Sequence, residues 1–184
     1  MATLARFNEG EEIAVWYLLP RRKEYVMETE EEVCCPRFDP ALWDGKTLDW
    51  EKKPFVRAKV FSLFYMPVNL GSVMRRLDAQ IRKAGASFED AMALSEHTSM
   101  WSMWQYLAVD RPIPGMDNVP LGGRFKVKVY EGPFEDTGKW MKDFDEDNKA
   151  KGQKVKNVFM WYTTCPKCAK KYGKNYVAVL GQLE

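Results

Sequence analysis

The sequence predicts an α+β fold: two β-α-β-β repeats joined into a pseudo-two-fold antiparallel sheet, with two helices on one face. Three observations predict it. Runs rich in β-branched and aromatic residues alternate with two segments of helical spacing. The same order of elements occurs twice, displaced by roughly 64 to 67 residues, so that Phe61 answers Phe125, Pro67 answers Pro133 and Gly85 answers Gly152. Upstream of residue 55 the chain is rich in turns, with Pro36, Pro40 and Pro54, and reads as a wrapping extension without a core of its own. The expected organisation is an extension over 1–54 and a core domain over 55–184, with repeat one at 55–110 and repeat two at 121–184.

Phe55–Tyr65 (FVRAKVFSLFY) reads as a strand that Pro67 ends. Asn69 is a candidate helix cap, followed by Leu70, Val73, Met74, Leu77 and Ile81 at helical spacing, and Gly85 is placed to stop the helix. Ala91–Ser95 and Met103–Val109 follow as strands, joined by a loop holding Glu96, His97 and Trp101. A Pro/Gly-rich link, RPIPGM, closes the first unit. Gly123–Glu131 sets Phe125, Val127 and Val129 against Lys126, Lys128 and Tyr130, the alternation of a half-buried strand. After Gly132-Pro133, a helix from about Asp136 carries Trp140, Met141 and Phe144 inward and ends near Gly152. Strands at Val158–Thr163 and Tyr176–Leu183 complete the unit, joined by a loop with Cys165 and Cys168.

Composition excludes several classes of function. With 46% hydrophobic residues in 184, the chain can build a real core and is not disordered throughout. Lys and Arg number 28 against 26 acidic residues, a net +2 that argues against a nucleic-acid binder. The acidic run Glu28–Glu32 makes the first part acidic, whereas 124–175 is basic. The lysines there alternate with apolar residues, which reads as a solvated face. No run approaches the roughly eighteen apolar residues of a membrane helix, and the N-terminus has no apolar stretch after a basic start. The expectation is a cytoplasmic protein with no membrane partner, as a monomer or a homodimer. A single histidine, His97, excludes His-rich metal centres and HExxH chemistry, and is expected to serve as a hydrogen-bonding loop residue. Aromatics are the excess: 7 Trp, 8 Tyr and 10 Phe make up 14% of the chain. Flat side chains in that number point to a cleft that stacks on a planar small molecule.

The stretch GRFKV at 123–127, followed by a strand and a Glu-Gly-Pro turn that opens the second helix, resembles the GyrI-like small-molecule-binding domain. That domain also serves as the effector-binding module of multidrug-sensing transcription regulators. The segments CCPRFDP (34–40), PVNLGSVM (67–74) and TTCPKCAKKYGKNY (163–176) are similar to a stand-alone GyrI-like subfamily whose members are often labelled hydrolases. The resemblance implies two helices on one sheet face and a cleft between the repeats that takes an aromatic, often cationic, ligand. Multidrug-binding members place a glutamate on the penultimate strand, and the matching VFMWY at 158–162 has none. Some stand-alone members hydrolyse strained, cyclopropane-bearing DNA-alkylating compounds and so protect the cell. With no helix-turn-helix segment ahead of the domain, a transcription factor is disfavoured.

Strand parity sorts the candidate ligand-binding rings. Trp104 and Tyr106 point one way on their strand, with Met103, Gln105 and Leu107 the other way. Phe159 and Trp161 share one face of the next strand, with Val158, Met160 and Tyr162 on the opposite one. Trp101 and Trp140 add indoles, and Tyr65 and Tyr130 join Tyr106 and Tyr162 as hydroxyl donors for a ligand carbonyl. The competing reading makes these rings core, covered by Trp43 and Trp50. Glu96 is the candidate catalytic residue, the first-repeat counterpart of the missing glutamate. A carboxylate set among indoles loses hydration and suits general acid/base work. It would activate water or oppose positive charge as a strained ring opens. In a binding protein it is only a counter-ion, and in the plainest case an exposed loop glutamate. No cofactor is expected, with zinc the one candidate, at Cys165 and Cys168. That CxxC is half of a tetrahedral site; the competing readings are a structural thiol-bearing hairpin, foremost, and a redox-active or disulfide pair. Cys34 and Cys35 could supply the other half, although adjacent cysteines seldom turn both sulfurs to one metal.

Overall fold

The computed structural model describes residues 34–184. The N-terminal residues and the acidic run Glu28–Glu32 lie outside the described residues. Seven strands form one antiparallel sheet: β1 (Thr47–Leu63), β2 (Met66–Pro67), β3 (Phe88–Ser99), β4 (Ser102–Val109), β5 (Asp117–Glu131), β6 (Val155–Tyr162) and β7 (Tyr176–Leu183). Three helices accompany them: α1 (Leu70–Lys83), α2 (Thr137–Ala150) and α3 (Pro166–Tyr172). The strand order is β2-β1-β4-β3-β6-β7-β5, and β5 pairs back onto β1. The sheet therefore closes into a barrel-like ring, with β2 a short flap on β1. Among the described residues no helix is long and apolar enough to cross a membrane.

Closure depends on β1. Its first part pairs with β5 from Thr47–Lys126 to Trp50–Gly123, and the ladder resumes at Lys53–Leu121 after a bulge. Phe55 to Phe61 pair with β4 on the other edge of the same strand. An inserted residue bends a strand and tightens its twist, which lets one long strand serve both ends of the ring. Close approach at the bulge demands glycine: a Cβ on Gly122 would lie 2.6 Å from the Glu51 carbonyl oxygen.

The ring has two apolar faces because its strands alternate. Inside lie Phe55, Leu94, Tyr106, Phe125, Phe159 and Trp161. Outside, α1 seats Val73, Leu77 and Ile81 on Val56, Val60, Met103 and Leu107. Next to it α2 seats Trp140 and Phe144 on Met160, Val177 and Val179. Each such aliphatic side chain, fully buried, contributes about 1.5–3 kcal/mol. Both helices thus lie on one side of the sheet, and the parity read for β4 and β6 holds.

Several local expectations change. β1 begins at Thr47 and runs through Pro54, and β5 begins at Asp117. Glu96 and His97 belong to β3 rather than to a loop, and a short helix, α3, occupies the Cys165–Cys168 connection. Asn69 stands at the start of α1 but makes no side-chain cap. Its Oδ1 accepts the Phe61 N–H at 2.8 Å, tying the helix entry to β1 instead. The His97 Nδ1 is buried without a hydrogen-bond partner among the described residues, and burial lowers its pKa, favouring the neutral ring.

Candidate functional site

Parity places Glu96 on the inner face of β3, two residues beyond Leu94, and opposite Trp104 of β4. The Tyr106 hydroxyl donates to Glu96 Oε2 at 2.6 Å. Burial pushes the Tyr106 hydroxyl up to about 12, and the Glu96 charge adds to the shift. Tyr106 is therefore a firm donor at neutral pH. Arg57, from β1, lays its guanidinium 4.2 Å from the centre of the Trp104 ring. It also pairs with Asp117 at 2.8 Å. One wall of the barrel thus carries a carboxylate, a fixed hydroxyl donor and a cation stacked on an indole. Arg57 escapes a sequence reading that looks for aromatics and acids alone, and Asp117 is singled out only by its pairing with Arg57. The signal for Arg57 was its shared parity with Phe55.

The remaining candidate rings separate into three places. Trp104, Tyr106, Phe159 and Trp161 line the inner face with Glu96. Tyr130 and Tyr162 lie on the outer face under α2, where Tyr130 stacks on Trp140 of that helix at 5.6 Å and Phe134 leans on Tyr162. Tyr65 and Trp101 are exposed, at the β1–β2 and β3–β4 turns. The Phe64-Tyr65 turn holds both residues at positive φ, 49° and 68°, where glycine or asparagine is usual. The structure does not bring all nine rings into one cleft.

The chain itself covers the inner face. Trp43 meets Trp161 edge-on at 4.9 Å, Phe38 meets it at 5.3 Å, and Trp50 leans on Phe125 at 4.5 Å. Phe38 is a contact that no sequence pattern announces. Under this cover the Trp161 indole N–H is buried without an acceptor among the described residues, and an unmade buried hydrogen bond costs about 1–3 kcal/mol.

At the same end of the barrel Cys34, Cys35, Cys165 and Cys168 come together, with their sulfurs all within 4.8 Å of one another. Their thiols are free. The adjacent Cys34 and Cys35 both turn toward the CxxC, against the expectation for neighbouring cysteines. Two cavities flank this end. One of about 270 Å³ lies between the turn at Glu131–Pro133 and the segment from Ala169 to Asn175. The other, about 150 Å³, is lined by Arg37, Phe38, Thr164, Tyr172, Lys174 and Tyr176. Both fall below the roughly 300 Å³ of an ordinary ligand pocket.

Residues 25–183 match the family described as bacterial hydrolase. The chain belongs to this family. No curated protein matches the chain. Among solved structures the fold is similar to EcmrR, seen by cryo-electron microscopy in an EcmrR-DNA complex, with a TM-score of 0.57 and 10% identity. The match covers 76% of this chain and 56% of that one, so this family member spans little more than half the length of EcmrR. SAV2435, bound to tetraphenylphosphonium, matches at a TM-score of 0.48 and 13% identity, over 76% of this chain and 93% of that one.

Proposed function

We propose that this family member binds a planar, aromatic small molecule on the inner face of its barrel and hydrolyses it with Glu96. The observation that carries the reading is the 2.6 Å hydrogen bond from Tyr106 to Glu96 on an inner face rich in aromatic rings. A carboxylate at that position, oriented by a fixed donor, can take a proton from water. Its neighbours Trp104 and Phe159 offer stacking faces. The Trp161 N–H, without an acceptor among the described residues, is suited to a ligand carbonyl. Phe38 and Trp43 occupy the place of a ring stacked on Trp161, so a ligand there displaces them. The hydrolase family supports the reaction class.

The substrate proposed is a strained electrophile, such as a cyclopropane conjugated to a carbonyl. Water attacks the ring carbon while Glu96 takes its proton. The carbon–carbon bond breaks, and its electron pair passes into the conjugated carbonyl, which then gains a proton. The product is the ring-opened alcohol, no longer an alkylating agent. We further propose that the two halves of the barrel are repeats of one GyrI-like unit. In support, the ring order places β1-β4-β3 beside β6-β7-β5, mirrored about the β3–β6 junction.

The test incubates the protein with a cyclopropane-bearing, planar electrophile and follows products by mass spectrometry and binding by tryptophan quenching. The wild type should form an adduct of one water, and Glu96→Gln should bind but lose turnover by 100-fold or more, roughly the share of one general base. Quenching without product makes the chain a sequestering protein, and full turnover by Glu96→Gln removes Glu96 from the chemistry.

A further inference from the structure

We propose that Cys34, Cys35, Cys165 and Cys168 hold one zinc ion in a tetrahedral, all-thiolate site, and that this site fastens the Phe38–Trp43 cover over the barrel. The proposal stands on the cysteine geometry and does not depend on the hydrolase reading.

Zinc–sulfur bonds of about 2.3 Å set the ligand sulfurs of a tetrahedron about 3.8 Å apart. The Cys34 sulfur lies 3.8 Å from Cys35, 3.5 Å from Cys165 and 3.7 Å from Cys168. All four sulfurs fall within 4.8 Å of one another, so closing any edge to the tetrahedral length takes a shift of at most about 1 Å. A disulfide needs about 2.05 Å, so none of these pairs is bonded. Four thiols drawn to one point, from segments more than a hundred residues apart in sequence, suit a thiophilic cation better than any pairwise bond.

The surrounding backbone fits the same use. The Cys165 N–H points at the Cys35 sulfur at 3.3 Å, and the Cys168 N–H points at the Cys165 sulfur at 3.5 Å. Donors aimed at sulfur stabilise thiolates and orient them, as partners beyond the ligand shell do in metal sites. Tyr172, at the end of α3, donates its hydroxyl to the Cys35 carbonyl at 2.5 Å, and Arg37 lies over the Tyr172 ring at 4.5 Å. The segment that carries Cys34 and Cys35 is thus held to α3 by contacts other than the sulfurs. On binding, each thiol yields its proton as its sulfur bonds to zinc. Four thiolates and Zn²⁺ leave a net charge of −2. The helix that carries Cys168 and that Cys165 caps also carries Lys167, Lys170 and Lys171, of a sign to balance that charge.

Two anchor points then fix the cover. The sulfurs of Cys34 and Cys35 tie its start to α3, and Trp43 with Phe38 closes on Trp161 just beyond. The four ligands leave no open coordination position, so the role is structural.

The experiment uses the full chain, purified under reducing conditions. Elemental analysis should find one zinc per chain. The demetallated, reduced protein should take up one Co²⁺, with the intense visible bands of a tetrahedral thiolate complex. Substituting the buried Cys168 also disturbs packing, so the informative variant is Cys34→Ser at an exposed position. It should weaken cobalt binding at least 10-fold while circular dichroism stays unchanged. It should also raise acrylamide quenching of tryptophan as the cover loosens. Absence of zinc together with absence of a cobalt band overturns the proposal. So does iron in place of zinc, or a Cys34→Ser protein that binds cobalt as tightly as the wild type.

Discussion

Replacing Tyr106 with Phe removes one oxygen from the inner face of the barrel and nothing else. The ring is 3% exposed and keeps its edge contacts with Phe55 at 6.4 Å and Phe159 at 5.5 Å. What is lost is the 2.6 Å hydrogen bond to Glu96, together with the hydroxyl's interaction with the Arg57 guanidinium. Hydrogen bonds to charged groups contribute about 1.5–3 kcal/mol. Glu96 is only half-buried, so water replaces part of the loss and the lower end applies, about 1.5 kcal/mol. For a domain of this size that lowers Tm by roughly 3–6 °C. A double-mutant cycle with Glu96→Gln isolates the charge. In the Gln background the same Tyr106→Phe change should cost about 0.5 kcal/mol, a coupling of about 1 kcal/mol. Urea unfolding followed by circular dichroism measures all four proteins. An equal cost in both backgrounds, or no cost in the wild type, refutes the argument that Tyr106 holds a carboxylate.

Two further outcomes follow from the same coordinates. A Cβ on Gly181 of β7 would lie 2.7 Å from Phe144 of α2 and 3.1 Å from Val155. Gly181→Ala should therefore cost about 1–3 kcal/mol by overpacking, and Phe144→Leu added to it should recover part of the loss. A neutral Gly181→Ala in urea unfolding would mean that α2 does not sit so close. The third concerns alkaline pH. The Tyr106 hydroxyl stays protonated in the fold up to about 12, against 10 when unfolded. The unfolded chain thus releases this proton first, so its share of stability is complete below pH 10 and lost between 10 and 12. Urea midpoints across that range should fall less steeply in Tyr106→Phe than in the wild type, and parallel curves would remove Tyr106 from the effect.

Much of the fold is legible in local pattern. Apolar spacing marks α1 through Leu70, Val73, Leu77 and Ile81, and both main helices stop ahead of the glycines expected to stop them. Alternation correctly divides Trp104 and Tyr106 from Met103 and Leu107. Polar residues hide the rest. Asp49, Glu51 and Lys52 obscure the start of β1, and Glu96, His97 and Thr98 make the end of β3 read as loop. Those side chains are exposed or half-buried within the strands, so the apolar pattern lapses while the extended backbone continues. Ring closure through β1 and β5 leaves no local trace, since pairs such as Leu48–Phe125 join distant parts of the chain. The cysteine cluster is hidden for the same reason: Cys34 and Cys165 are 131 residues apart.

The ring is not equally strong all the way round. β5 and β7 are laced continuously from Phe125–Gln182 to Glu131–Tyr176, and β1 grips both neighbours along most of its length. Between β3 and β6, by contrast, only Leu94–Trp161 and Ser95–Met160 stand in register. A hoop with one short clasp parts there first, because few backbone bonds need to break while the long ladders opposite keep the strands together. Trp161 is part of that clasp, and Glu96 follows it directly on β3. Amide hydrogens along it should exchange with solvent sooner than those of β5 and β7, and the quickest route from water to the barrel's interior runs sideways, through its wall.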